Sequence, residues 1–141
     1  MEFIDNLRPY SAAVLRISMS LLFLWFGINQ LIFPQTFLGY LPSWAFSDQQ
    51  GMGQTMHLAV TNLGGAYTLI FFNGFFEIVL GLLLLAGIFT RIVAFVLAVH
   101  LFGIAFTLGY NDIAVRDFTL SMATLVVAIN GHDKLCFDKR K

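Results

Sequence analysis

Charge is what this chain has least of: Asp, Glu, Lys and Arg make up 11% of its 141 residues, against about 25% in soluble domains. A surface that must face water cannot be built from so few charges, so a soluble fold is excluded. Eight basic residues balance eight acidic ones, giving a formal net charge of zero. The basic stripe that neutralises phosphates is therefore missing, and nucleic acid is not a partner. A single cysteine, Cys136, excludes a disulfide framework, a thiolate metal cluster and dithiol chemistry. No glycine-rich loop lies between a strand and a soluble helix, so no nucleotide site is visible. Neither a nucleophile with an adjacent base nor the internal repeat of many secondary transporters is found. His57 is isolated and the His132–Asp133 pair lacks ligand spacing, so no metal site is expected.

What remains is apolar: 58% hydrophobic residues, sixteen of them phenylalanine, and a mean hydropathy of +0.79. A hydrocarbon core about 30 Å thick needs about 20 apolar residues per helix. Four windows qualify: Ala12 to Phe33, Tyr67 to Phe89, Ile92 to Tyr110 and, more weakly, Ala114 to Gly131. The first run continues without a small-residue cleavage site, so the first helix is expected to be retained. Pro34 ends it, and short turns around Gly87 to Arg91 and Gly109 to Asp112 make the later helices antiparallel neighbours. The expected fold is all-α, a single domain spanning 1–141 as an antiparallel four-helix bundle in a lipid bilayer. In its one long connection, 34–66, a short helix is expected from Gln54 to Asn62. That connection lacks Lys and Arg, whereas Arg8, Arg91, Lys134, Lys139, Arg140 and Lys141 fall on the other side. Positive residues stay inside, which places both termini in the cytoplasm. Tyr10, Tyr67 and Tyr110 fall at helix ends, as in an aromatic belt.

At about 100° per residue, Asn73, Gly74, Glu77 and Gly81 share one face of the second helix. Arg16, Ser20, Gly27 and Gln30 do so on the first, with Trp25 opposite. On the third, His100, Gly103, Thr107 and Asn111 form a stripe, and on the fourth Asp117, Ser121, Thr124 and Ala128. Small residues and interhelical hydrogen bonds hold membrane helices together, so a bundle with a polar interior is expected. Counting about 1.5 Å per residue puts Glu77 and His100 at similar depth near the midplane. An ionisable residue there costs roughly 3 kcal/mol on insertion scales and marks a functional site by default. Gln30, Asn73, Thr107, Asn111, Arg116 and Asp117 lie further out, predicting a polar cleft that opens beneath the long loop.

Each residue has a plainer reading. Glu77 and His100 share a proton during chemistry, or make a hydrogen bond that fixes helix register. Arg16 snorkels to headgroups or pairs with Glu77. Asp117 is a first-turn residue favoured by the helix dipole, while Arg116 holds a headgroup phosphate or a substrate.

Leu15-Arg16 followed by Phe23, Gly27 and Leu31 resembles the opening of DoxX-like (DoxX/DoxD) membrane proteins. Glu77 with the run Gly81 to Arg91, then Val115-Arg116-Asp117, then Gly131 to Asp138, are similar to the family's second helix and turn, fourth helix and terminus. The resemblance implies a four-helix protein of the prokaryotic plasma membrane, described as an oxidoreductase subunit that works with quinone, thiosulfate or soluble redox partners. It carries Arg16, Glu77, Arg116 and Asp117 across as family-matching positions. The leading expectation is a subunit that binds quinone or a small sulfur compound. Glu77 and His100 serve as its catalytic pair, and Arg116, Asp117, Asn73, Gln30 and Arg16 line the ligand site. The alternatives are a non-enzymatic scaffold, chaperone or cargo receptor and, as a homo-oligomer, a small transporter.

Overall fold

The computed structural model describes residues 8–41, 45 and 65–137. Four helices follow one another: α1 (Ser11–Ile32), α2 (Ala66–Ala86), α3 (Thr90–Leu108) and α4 (Asp112–Asn130). Short 3-10 helices cover Arg8–Tyr10 and Pro34–Tyr40. Among the described residues there is no strand. The expected helix from Gln54 to Asn62, with Trp44 and His57, lies outside the described residues.

The helices form two pairs, α1 on α2 and α3 on α4. In the first pair the backbones touch. A Cβ on Gly27 would stand 2.7 Å from the Gly74 carbonyl oxygen, and one on Gly74 would stand 2.9 Å from that of Gly27. Removing both side chains at one crossing is how helices approach where burial of apolar surface gives no gain. The pairs join around Met19, Phe23, Leu84, Val93, Leu97 and Val127, all buried. Phenylalanines cover the outside: Phe72, Phe75, Phe95 and Phe106 are more than half exposed. The spans Arg8–Ile32, Ala66–Ala86 and Thr90–Leu108 are long and apolar enough to cross a membrane. Helix α4, which carries Asp112, Arg116 and Asp117, matches α3 at 19 residues and lies along it.

Helix α2 ends three residues before its hydrophobic window does. Gly87 takes φ +70°, and the N–H groups of Gly87 and Ile88 turn back onto the carbonyls of Leu84 and Leu83, closing a Schellman motif. The remaining end carbonyls are also occupied. Arg16 donates from Nη1 to Leu84 O (2.8 Å) and Leu85 O (2.6 Å), and Phe137 N donates to Ala86 O. All four terminal carbonyls that a helix leaves orphaned are thereby satisfied, with a cation at the negative end of the dipole.

Candidate functional site

A cavity of about 260 Å³ lies between the two helix pairs, toward the end of the bundle where Pro34–Tyr40 crosses over. Its walls are mostly Leu, Ile and Phe from all four helices, including Phe23, Phe26, Ile70, Ile104 and Leu120, with Phe37 and Tyr40 from the 3-10 segment. Polar groups enter at two places. Deep in the cavity are Gln30, Asn73 and Glu77; further along are Thr107, Arg116 and Asp117.

Helical periodicity delivers the first group. Asn73 and Glu77 are four apart on α2, and Gln30 meets them just past the Gly27–Gly74 crossing. Glu77 is 3% exposed. Its Oε2 accepts from Gln30 Nε2 at 2.9 Å, and its Oε1 accepts from Asn73 Nδ2 at 3.0 Å. Asn73 Nδ2 also donates to Gln30 Oε1 at 2.8 Å. The carboxyl group at this depth is therefore held by two amides. His100 stands beside it, Nε2 3.7 Å from Glu77 Oε1, beyond hydrogen-bond distance. Among the described residues nothing bonds to that buried nitrogen. The imidazole instead lies against Phe76, with ring centroids 4.8 Å apart.

At the outer group, Arg116 donates from Nε to Asp117 Oδ1 at 2.8 Å. Its guanidinium carbon lies 5.1 Å from the centre of the Phe26 ring. Asp117 is buried, whereas Arg116 is almost half exposed. The expected first-turn role for Asp117 is corrected: α4 begins at Asp112, with Asn111 as N-cap accepting from Ala114 N at 2.8 Å. Asp117 therefore sits past the first turn, facing the cavity.

The structure corrects two further expectations. Arg16 neither snorkels nor reaches Glu77. It is 1% exposed at the opposite end of the bundle, forked onto Asp133 through Nε (2.7 Å to Oδ2) and Nη2 (3.3 Å to Oδ1). Four of the five N–H donors of the guanidinium are thus taken by Asp133 and the α2 carbonyls, away from the cavity. Asp133 was given no such part by its place in a polar tail. Burial raises its pKa, but the hydrogen bonds from Arg16 and from Leu135 N, with the arginine charge, outweigh this and lower it. On α3, the stripe His100, Gly103, Thr107 and Asn111 is not the packing face. Val93, Ala94, Leu97, Ala98, Leu101 and Ala105 are buried there, while Gly103 and Thr107 are exposed.

Among the described residues, no group of three or more His, Cys, Asp or Glu could hold a metal ion.

The family model for DoxX matches residues 11–109, from the first residue of α1 to the end of α3. The chain belongs to the DoxX family. Neither curated proteins nor solved structures give a match. As a DoxX protein it is an integral membrane protein, with its helices spanning the bilayer. The matched segment contains Gln30, Asn73, Glu77 and His100, whereas Arg116, Asp117 and Asp133 lie beyond it. Within this DoxX protein, the deep polar group thus belongs to the matched family segment and the outer charged pair does not.

Proposed function

We propose that this protein binds the head of a quinone in the cavity between its helix pairs and serves as the membrane subunit of a redox complex. The observation that carries the reading is Glu77, buried in a mostly apolar cavity and hydrogen-bonded by Gln30 and Asn73. Apolar walls with a few convergent polar groups are what a ring carrying two carbonyls requires. Gln30, with one of its two N–H donors spent on Glu77, supplies the other for a carbonyl, and Glu77 with His100 supplies a place to take up and release protons. Reduction of a quinone to its quinol consumes two electrons and two protons. The electrons come from a soluble redox partner, since the chain offers no haem, flavin or iron-sulfur ligation pattern. A small anion such as thiosulfate fits less well. Arg116, which lines the cavity, is already paired with Asp117.

The gathering of Arg8, Arg91 and Lys134 near the Arg16 end favours that end as the cytoplasmic one. The site then opens outward in the plasma membrane of a prokaryotic cell.

A non-enzymatic scaffold is the second reading. It is favoured by the closure of Gln30, Asn73 and Glu77 on one another, because such a network also fixes helix register. The experiment separating the two is equilibrium binding of a short-chain benzoquinone to purified wild type and Glu77→Gln. Ligand binding predicts saturable binding by wild type, weakened at least about tenfold in the variant at unchanged helical content. No binding by wild type, with a lowered Tm in the variant, supports the scaffold.

A further inference from the structure

Residues on the lipid-facing side of α2 and α3 bear on how a ligand reaches the cavity. A fissure of about 570 Å³ runs along this side, lined by Phe72, Phe75, Phe76 and Val79 of α2 and by His100 of α3. Leu69 and Asn73 line both the fissure and the cavity. Leu69 and Asn73 thus stand between the two spaces, with Glu77 on the cavity side and His100 on the fissure side. Between Glu77 and His100 no hydrogen bond closes this edge. Glu77 Oε1 and His100 Nε2 stand 3.7 Å apart, and the nitrogen has no partner among the described residues. An oxygen set to one side of the line between them can bond to both. About one turn along α3 from His100, Gly103 is exposed and a Cβ there would meet no atom within 4 Å, so the helix face beside His100 is open at this point.

The sizes of the two spaces point the same way. A cavity of about 150 Å³ takes a benzene ring. At about 260 Å³, this one takes a substituted ring and leaves no room for a long tail, whereas the fissure beside it is apolar and faces lipid.

We infer that the gap between α2 and α3 at Asn73, His100 and Gly103 is a lateral portal, through which a ligand with a polar ring and a long apolar tail enters from the bilayer, its tail remaining in the phenylalanine-lined fissure. The inference rests on the cavity being a ring-binding site and names the class of ligand it takes: a membrane-dissolved, long-tailed quinone. Swinging of the His100 ring off Phe76 opens this edge. Once the ring has passed, the unpaired Nε2 faces a ligand oxygen.

The test uses the full chain in lipid nanodiscs with two probes: a long-tailed isoprenoid benzoquinone and the same dimethoxy-methyl-benzoquinone ring without its tail. Gly103→Trp places a bulky ring beside the portal from a position where its Cβ meets no existing atom, and Gly103→Ala is the control. The portal predicts that Gly103→Trp slows association of the tailed quinone by about tenfold or more while the tail-less ring binds as in wild type, and that Gly103→Ala alters neither. Unchanged association of the tailed quinone in Gly103→Trp overturns the portal and leaves the ring site standing. Absence of binding by either probe in wild type overturns the ring site itself. Equal weakening of both probes in Gly103→Trp also counts against the portal, because it marks a disturbed site rather than a blocked route.

Discussion

Arg16 and Asp133 show how far one charge in this protein determines its surroundings. A guanidinium buried to 1% exposure requires a carboxylate, and the chain supplies it from 117 residues away. Removing one partner of a buried pair costs about 3–5 kcal/mol, because the other is left uncompensated. Asp133→Ala should therefore lower the Tm in detergent by far more than Asp112→Ala, in the exposed first turn of α4. The pair also sets an acid limit. The folded pKa of Asp133 lies below its ordinary value of 3.8, so its contribution is complete above that value and is lost as pH falls through the lower, folded one. Unfolding followed against pH should show a loss of stability below about pH 4 in wild type that is absent in Asp133→Ala. Glu77, Gln30 and Asn73 were legible in the sequence because an interruption of an apolar run stands out and a period of 3.6 sets them on one face. Asp133 was not. It lies in a polar tail where an acidic residue is unremarkable, and only the return of that tail over Gly87 and Thr90, through Cys136, brings it under α1.

Among the helices, the contact between α1 and α2 depends on two missing side chains. Gly27→Leu would drive atoms into the Gly74 backbone, which cannot yield as a flexible side chain can. Overpacking of this kind costs typically 1–3 kcal/mol, and here it also shifts Gln30 away from Glu77. Thermal unfolding should show Gly27→Leu clearly destabilised, and quinone binding should fall with it. Gly103→Ala, where a Cβ meets nothing, should be neutral or stabilising by up to about 1 kcal/mol, as expected for a glycine within a helix. Periodicity separated these cases only in part. It placed Gly27 and Gly74 correctly, because on α1 and α2 the polar, small-residue stripe is the packing face. On α3 the same reasoning selected His100, Gly103 and Thr107, although the buried face there is made of alanine, valine and leucine. A period defines faces but does not say which of them meets a neighbour. When a cavity and a fissure flank a helix, its polar stripe lies along the opening instead of in the contact.

As a whole, the molecule is two tightly packed helix pairs with a space between them, closed at one end by the ion pair and the returning tail and widened at the other by the cavity. The four-helix, membrane-spanning architecture was readable from hydropathy alone. The division into pairs was not, because it arises from the depth of the glycine crossing and the fit of α3 on α4. That division is what lets an apolar cavity with a carboxylate at its end exist inside so small a bundle. Photolabelling with an azidoquinone, followed by peptide mapping, tests this account most directly. Labels on Phe23, Phe26, Ile104 and Leu120, lost on competition with unmodified quinone and in Glu77→Gln, are the predicted result. Labels confined to outward residues such as Phe95 and Val99, unaffected by competitor, would contradict it.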